Sequence, residues 1–205
     1  LLLLASASMN AQDVDQASKA IDAEQYEKAK SILKGILNTT PTNGKASFLL
    51  GNVYLRQSVE DSAKIYFQKG LAAKEGANLN NIGLGQIDLD NNNITEAKAN
   101  FTLATATMKK KSIEEYIFIA RAYMNASTPD YKAAIEVLNR AKAVNPNDAQ
   151  LQLALGDAFY GDKNQNEAYV AYRAAYGTDS SLIRAKMQSG VLLKGARAFN
   201  EANST

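Results

Sequence analysis

The sequence predicts an all-α protein built from repeated pairs of antiparallel helices. Small residues recur at a nearly constant spacing, since Gly51, Gly85, Ala120, Gly156 and Gly190 follow one another at intervals of 34, 35, 36 and 34 residues. Each lies inside an apolar segment, such as FLLGNVYL or LALGDAFY. Because glycine costs a helix interior about 1 kcal/mol relative to alanine, its recurrence in phase indicates that another helix approaches closely there.

A second pattern marks the other helix of each pair. It consists of a small residue, an aromatic residue or leucine four positions later, and a small or apolar residue three positions beyond. The five sets are Ala29, Leu33 and Ile36; Ala63, Phe67 and Gly70; Ala97, Phe101 and Ala104; Ala134, Leu138 and Ala141; and Ala168, Tyr172 and Ala175. Spacings of four and three place each set on one helical face. Pro41 and Pro146 follow their sets where one helix must end.

These features resemble the tetratricopeptide repeat, a 34-residue helix-turn-helix unit with small residues at its eighth, twentieth and twenty-seventh positions. The resemblance covers nearly the whole chain. It implies a right-handed α–α superhelix, or solenoid, of about five and a half repeats in one domain from residue 12 to 205. The repeats lie near residues 10–43, 44–77, 78–112, 113–148 and 149–182, with a partial repeat at 183–205.

The first eleven residues, LLLLASASMNA, belong to no repeat. Four leucines followed by small residues are typical of the distal part of a secretory signal peptide, with cleavage expected near Ala7 or Ala11. The alternative is an ordinary N-terminal helix. The signal-peptide interpretation, together with the absence of cysteine, predicts an exported bacterial protein in the periplasm or associated with the outer membrane. No later segment is apolar enough to predict a transmembrane span.

The composition restricts the chemistry. The 205 residues include no histidine and no cysteine, which excludes Ser-His-Asp and Cys-His catalysis, histidine-containing zinc sites and haem ligation by histidine. Carboxylate pairs such as Asp88 with Asp90, or Glu114 with Glu115, have no other convergent group nearby. We therefore expect no enzymatic activity, no cofactor and no metal. The 23 basic and 21 acidic residues are mixed along the chain and do not predict a nucleic-acid partner.

The resemblance also implies a binding groove, formed by the fifth, ninth and twelfth positions of each repeat. The fifth positions are Phe48, Ile82, Ile117 and Leu153, the ninth are Asn52, Gln86, Arg121 and Asp157, and the twelfth are Leu55, Leu89, Met124 and Tyr160. Two apolar rows beside a polar row suit an extended peptide or an amphipathic helix. The alternative is that the apolar residues pack between helices and leave only a shallow polar face.

The sequence therefore predicts a non-catalytic scaffold or adaptor in a bacterial cell envelope. Its partner would be a protein or peptide, including a subunit of a larger envelope complex. An alternative is an N-terminal accessory domain of a larger envelope enzyme or peptidoglycan-associated protein, with the functional domain beyond residue 205. Asp61-Ser62-Ala63 has the form of a bacterial O-glycosylation acceptor, but Ala63 belongs to the second pattern, and we expect a structural role first.

Overall fold

The computed structural model describes residues 13–106, 108 and 112–203, with side chains through residue 196. Within this part of the chain there are eleven α-helices and no β-strand. The prediction of an all-α fold is confirmed. The predicted signal-peptide remnant at residues 1–11 lies outside the described residues.

The helices form consecutive pairs joined by short turns. Helix α1 covers residues 13–22, followed by α2 (Tyr26–Thr39), α3 (Gly44–Arg56), α4 (Glu60–Gly70), α5 (Ala77–Asp90), α6 (Ile94–Ala106), α7 (Glu114–Asn125), α8 (Tyr131–Val144), α9 (Ala149–Gly161), α10 (Gln165–Thr178) and α11 (Ile183–Asn203). Odd-numbered helices are the first helices of their pairs and even-numbered helices are the second. Short connections make the two helices of a pair antiparallel neighbours.

The chain divides into two compact units, Leu1–Met108 and Lys109–Thr205. In the N-terminal unit, α3 packs against α2, α4 and α5, and α5 also packs against α4 and α6. In the C-terminal unit, α9 packs against α7, α8 and α10, and α10 also packs against α11. The first helices α3, α5 and α9 thus contact both their own second helix and helices of an adjacent pair.

All five sets of the second pattern are buried. The side chains of Leu33, Phe67, Phe101, Leu138 and Tyr172 occupy the centre of the second helices α2, α4, α6, α8 and α10. They are at most 6% exposed. Burying such a side chain contributes about 1.5–3 kcal/mol, so each of these residues stabilises its helix pair.

Aromatic rings of the second helices pack directly against glycines of the first helices. A methyl group on Gly51 would overlap the ring of Phe67, and one on Gly83 would overlap the same ring. Phe67 of α4 therefore fits between α3 and α5, and neither helix has room for a larger residue at these points. The sequence pattern identified Gly51 but not Gly83, which lies outside the repeating position.

The same arrangement occurs twice more. A methyl group on Gly85 would lie 2.5 Å from Cε1 of Phe101, and one on Gly156 would lie 2.5 Å from Cδ1 of Tyr172. The close approach predicted from the glycine spacing is confirmed at these positions. Gly190 differs, because a methyl group there would meet no atom within 4 Å. The expectation of close packing at Gly190 is wrong for the described residues.

Four turns between paired helices use a residue with positive φ. Glu24, Ser58, Asn92 and Lys163 have φ values of 56°, 58°, 60° and 65°. In each turn, the amide of the next residue donates to a carbonyl five residues back, as Val59 does to Tyr54 at 2.9 Å. This is the left-handed ending that closes many helices. Residues 91–93 form such a turn between α5 and α6.

Candidate functional site: the polar rows of the first helices

The structure buries most of the apolar residues that were expected to contact a ligand. Phe48, Ile82, Leu89, Ile117 and Leu153 are between 1% and 8% exposed. Phe48, for example, packs with its ring centroid 6.1 Å from that of Phe67. This corrects the expectation of two accessible apolar rows and favours the alternative in which these residues pack between helices. At the twelfth position Leu55 and Met124 remain half-buried, and Tyr160 is 47% exposed.

The polar row of the N-terminal unit consists of Asn52 on α3 and Gln86 on α5. Both side chains are half-buried. Each directly follows a buried glycine, Gly51 or Gly85, and these glycines bring the helix against an aromatic ring. The ninth position therefore lies at the boundary between the buried face and the exposed face of the helix. Within the described part of the chain, no hydrogen bond engages either amide side chain. Their donors and acceptors are available to a ligand.

The polar row of the C-terminal unit consists of Arg121 on α7 and Asp157 on α9. Arg184 of α11 binds Asp157 through both of its terminal nitrogens, with Nη1 donating to Oδ1 at 2.8 Å and Nη2 to Oδ2 at 2.7 Å. The hydroxyl of Tyr172 also donates to Oδ1, at 2.9 Å. Arg121 lies over the ring of Phe118, with its Cζ 5.8 Å from the ring centroid. This row is therefore charged and engaged in contacts within the chain.

The Tyr172 hydroxyl is held in its protonated form. Burial raises its pKa well above the ordinary value, and the negative charge of Asp157 and the hydrogen bond to that carboxylate raise it further. A protonated hydroxyl is the form that donates a hydrogen bond to a carboxylate. The repeat pattern places Asp157 at a ligand position but does not indicate Tyr172 or Arg184 as its partners. They lie 15 and 27 residues away along the chain, and no local motif relates them.

The carboxylate pairs considered above have structural partners. Asn100 Nδ2 donates to Asp88 Oδ2 at 2.8 Å, and the hydroxyl of Ser112 donates to the buried Glu115. Among the described residues, no group of three or more acidic side chains is placed to hold a metal ion. The polar groups of the N-terminal row are the amides of Asn52 and Gln86, which are suited to hydrogen bonding.

No helix in the described ranges combines the length and apolar character needed to cross a membrane. Ser62, in the first turn of α4, is half-buried and precedes Ala63, which is fully buried. Ala63 thus has the structural role expected of it, and glycosylation of Ser62 stays untested.

The fold is that of an α-helical repeat protein. It consists of consecutive helix pairs, with aromatic rings packed on glycines and polar rows on the first helices. Residues 119–183 match the family model of the tetratricopeptide repeat. This segment includes most of α7 and all of α8, α9 and α10. The spacing of the small residues predicts this family, and the match confirms it for residues 119–183.

Two solved structures show the same fold. A thermophilic tetratricopeptide-repeat protein from Thermus thermophilus matches with a TM-score of 0.62 and 13% identity, covering 90% of this chain and 98% of the other. A tetratricopeptide-repeat protein from Parabacteroides merdae matches with a TM-score of 0.60 and 17% identity, covering 88% and 70%. At this level of identity the likeness concerns the fold alone.

A curated relative extends over a comparable part of the chain. Anaphase-promoting complex subunit 3 of Schizosaccharomyces pombe is 23% identical over 156 residues, which is 76% of this chain. The chain spans 23% of the length of that relative. The function of that full-length relative is therefore not assigned to this chain.

Proposed function

We propose that the chain is a non-catalytic protein-binding scaffold or adaptor that holds an extended segment of a partner along the polar row of the N-terminal unit. The observation that carries this proposal is the pair of half-buried amides, Asn52 and Gln86, which have no hydrogen bond within the described residues. Half-exposed amides bind water in the free chain, and the backbone of a partner can replace that water. A side-chain amide has both donors and an acceptor and so pairs well with an extended backbone.

The spacing of the two amides predicts the register of the bound segment. Packed helices lie about 8–10 Å apart, and an extended chain rises about 3.3 Å per residue. Asn52 and Gln86 would therefore contact backbone groups about three residues apart. The half-buried Leu55 lies beside this row and would provide a small apolar contact. The row of the C-terminal unit is less suitable for this role, because Asp157 already has two partners.

We place this function in a bacterial cell envelope. The support is the sequence Leu1–Leu4 followed by small residues, which is typical of an export signal. N-terminal sequencing of the native protein tests the location. A mature N-terminus near Gln12 would support export, whereas an intact start in a cytosolic fraction would contradict it.

The binding proposal is tested by replacing both amides. Partners captured from envelope extract are purified, and their affinity for the wild type is compared with that for Asn52→Ala/Gln86→Ala. We expect a loss of roughly tenfold, because two hydrogen bonds at about 0.5–1.5 kcal/mol each are removed. The matched control is Gln68→Ala/Asn139→Ala, which removes one amide of each type from exposed positions on second helices. Equal affinity of both double variants would refute the proposed site.

A further inference from the structure

A cluster of lysine and tyrosine side chains on the surface of the N-terminal unit joins α2, α3 and α4. The rings of Tyr54 on α3 and Tyr66 on α4 stack nearly parallel, with their centroids 5.5 Å apart and an angle of 7° between their planes. Lys30 and Lys34 of α2 lie over the first ring, with Nζ 5.6 and 5.8 Å from its centroid, and Lys69 of α4 lies over the second ring at 5.4 Å. We call these five residues the lysine–tyrosine cluster.

The tyrosine rings hold the ammonium groups of the lysines in place. An ammonium group within about 6 Å of an aromatic centroid is attracted to the negative face of the ring. An ordinary surface lysine loses the conformational freedom of a long side chain when it binds an anion, whereas part of that freedom is already lost in the cluster. The cluster is therefore better prepared to bind an anion than separate surface lysines are.

Only one of the three lysines is paired with a carboxylate. Lys30 Nζ lies 2.6 Å from Oε1 of Glu27, and the side chain of Lys30 is only 17% exposed. Lys34 and Lys69 are exposed, and within the described ranges neither of them forms an ion pair. Both are protonated at neutral pH, as lysine ordinarily is. The cluster thus presents two positive charges that are available to an anionic partner.

The contacts of the two rings favour a polypeptide over a nucleic acid. Single-stranded nucleic acids bind proteins by stacking their bases on aromatic side chains. In the cluster, each ring already contacts the other ring and at least one lysine. A base would have to displace these contacts, whereas a carboxylate can reach the exposed ammonium groups without moving the rings.

We propose that the lysine–tyrosine cluster binds an acidic segment of a partner polypeptide, whose carboxylates pair with Lys34 and Lys69. The ammonium groups of these two lysines are at most about 17 Å apart, because three contacts of 5.8, 5.5 and 5.4 Å connect them through the rings. An extended chain covers that distance with about five residues. The bound segment therefore carries its acidic side chains within a stretch of about five residues.

This surface is separate from the polar row of the N-terminal unit. Asn52 and Tyr54 both belong to α3. Two residues along an α-helix correspond to a rotation of about 200°, so the two side chains lie on nearly opposite sides of the helix. The variant Asn52→Ala/Gln86→Ala should therefore bind an acidic segment as the wild type does, and failure of one proposal would leave the other intact.

A short acidic peptide provides the test. The probe is the fluorescein-labelled peptide GEEEEEG, and the labelled peptide GQQQQQG is its neutral counterpart. Binding to the full chain is measured by fluorescence anisotropy at low and at physiological ionic strength. We expect the acidic peptide to bind and the neutral peptide not to bind. The affinity should fall as salt is added, because ion pairs between exposed charges are screened.

The protein variant is Lys34→Gln/Lys69→Gln. We expect it to weaken binding of the acidic peptide at least about fivefold, because two ion pairs with the peptide are lost. The matched control is Lys28→Gln/Lys64→Gln, which removes one exposed lysine from each of the same two helices. In the part of the chain that the structure describes, neither control lysine lies over an aromatic ring. The control should bind the peptide within about twofold of the wild type.

Three results would overturn the proposal. Equal weakening by the two double variants would show that the net charge of the protein attracts the peptide without a specific site. Absence of measurable binding at millimolar peptide and low salt would show that the cluster takes no acidic segment. Tighter binding of a single-stranded oligothymidylate of equal charge, also lost in Lys34→Gln/Lys69→Gln, would identify a nucleic acid as the ligand.

Discussion

Phe67 shows how a single side chain joins three helices. Its ring lies against Gly51 of α3 and Gly83 of α5 while its own backbone belongs to α4, and it is fully buried. Protein interiors are close-packed, so a methyl group added beside such a ring must displace it. Only glycine leaves room for the neighbouring ring at these two positions, although each glycine lowers the intrinsic stability of its helix.

Gly51→Ala should lower the free energy of unfolding by about 1–3 kcal/mol, because the new methyl group would overlap the Phe67 ring. Gly35→Ala is the control, since its methyl group would meet no atom within 4 Å, and it should raise stability by about 0.5–1 kcal/mol. Both are measured by urea denaturation followed by circular dichroism. Loss of stability in both variants would show that the glycine effect does not come from the ring.

Tyr172 gives the stability of the protein a dependence on alkaline pH. Folding raises the pKa of its buried hydroxyl above the value of about 10 that tyrosine has in an unfolded chain. The stabilisation is therefore complete below pH about 10 and is lost progressively as the pH rises above that value. Tyr172→Phe should lower the unfolding free energy by about 1 kcal/mol at pH 7, and this difference should shrink between about pH 10 and 11.

The measurement is a series of urea titrations from pH 7 to 11. Tyr160→Phe is the control, because Tyr160 is 47% exposed and should behave as the wild type at every pH. A stability difference for Tyr172→Phe that stays constant up to pH 11 would contradict the role given to the protonated hydroxyl.

At the scale of the element, the turns between paired helices repeat one geometry with different residues. Four of them place a residue with φ between 56° and 65° at the same point, and this residue is Glu24, Ser58, Asn92 or Lys163. A left-handed conformation costs a residue with a Cβ about 1–2 kcal/mol, less for asparagine. Since three of the four are neither glycine nor asparagine, the tertiary contacts of the flanking helices impose the turn.

Lys163→Gly should therefore raise the unfolding free energy by about 1 kcal/mol, because glycine adopts positive φ without strain. Asn92→Gly should change it much less, because asparagine already tolerates this conformation. Thermal unfolding measured by calorimetry compares the two variants. Equal gains would indicate that the benefit comes from something other than relief of the Cβ strain.

At the scale of the whole molecule, stability is distributed along the repeats. The chain forms two compact units, Leu1–Met108 and Lys109–Thr205, each with its own packed helix pairs. In repeat proteins the free energy is approximately a sum of repeat terms and nearest-neighbour interface terms. A local change should consequently act mainly on the unit that contains it.

Amide hydrogen exchange of Gly51→Ala tests this expectation. Exchange should accelerate in α3, α4 and α5, which contact one another in the N-terminal unit. Exchange in α9 and α10 should stay within about twofold of the wild type. Equal acceleration in both units would show that the chain unfolds as one cooperative body.

The sequence by itself determined that this protein consists of paired helices that repeat at a nearly constant spacing. The reason is that one small residue per pair must face one large residue, and this requirement leaves a period that is visible without coordinates. The same period identified Gly51, Gly85 and Gly156 as packing positions.

Only the tertiary structure decided which of the repeated positions reach solvent. Phe48 and Met187 occupy the same position of their repeats, yet the first is 1% and the second 66% exposed, because a second helix covers one and none covers the other within the described residues. The sequence pattern likewise predicts Asp157 as a ligand position, whereas in the structure its carboxylate accepts hydrogen bonds from Arg184 and Tyr172. Exposure and pairing depend on groups that are distant in the chain, and a local pattern carries no information about them.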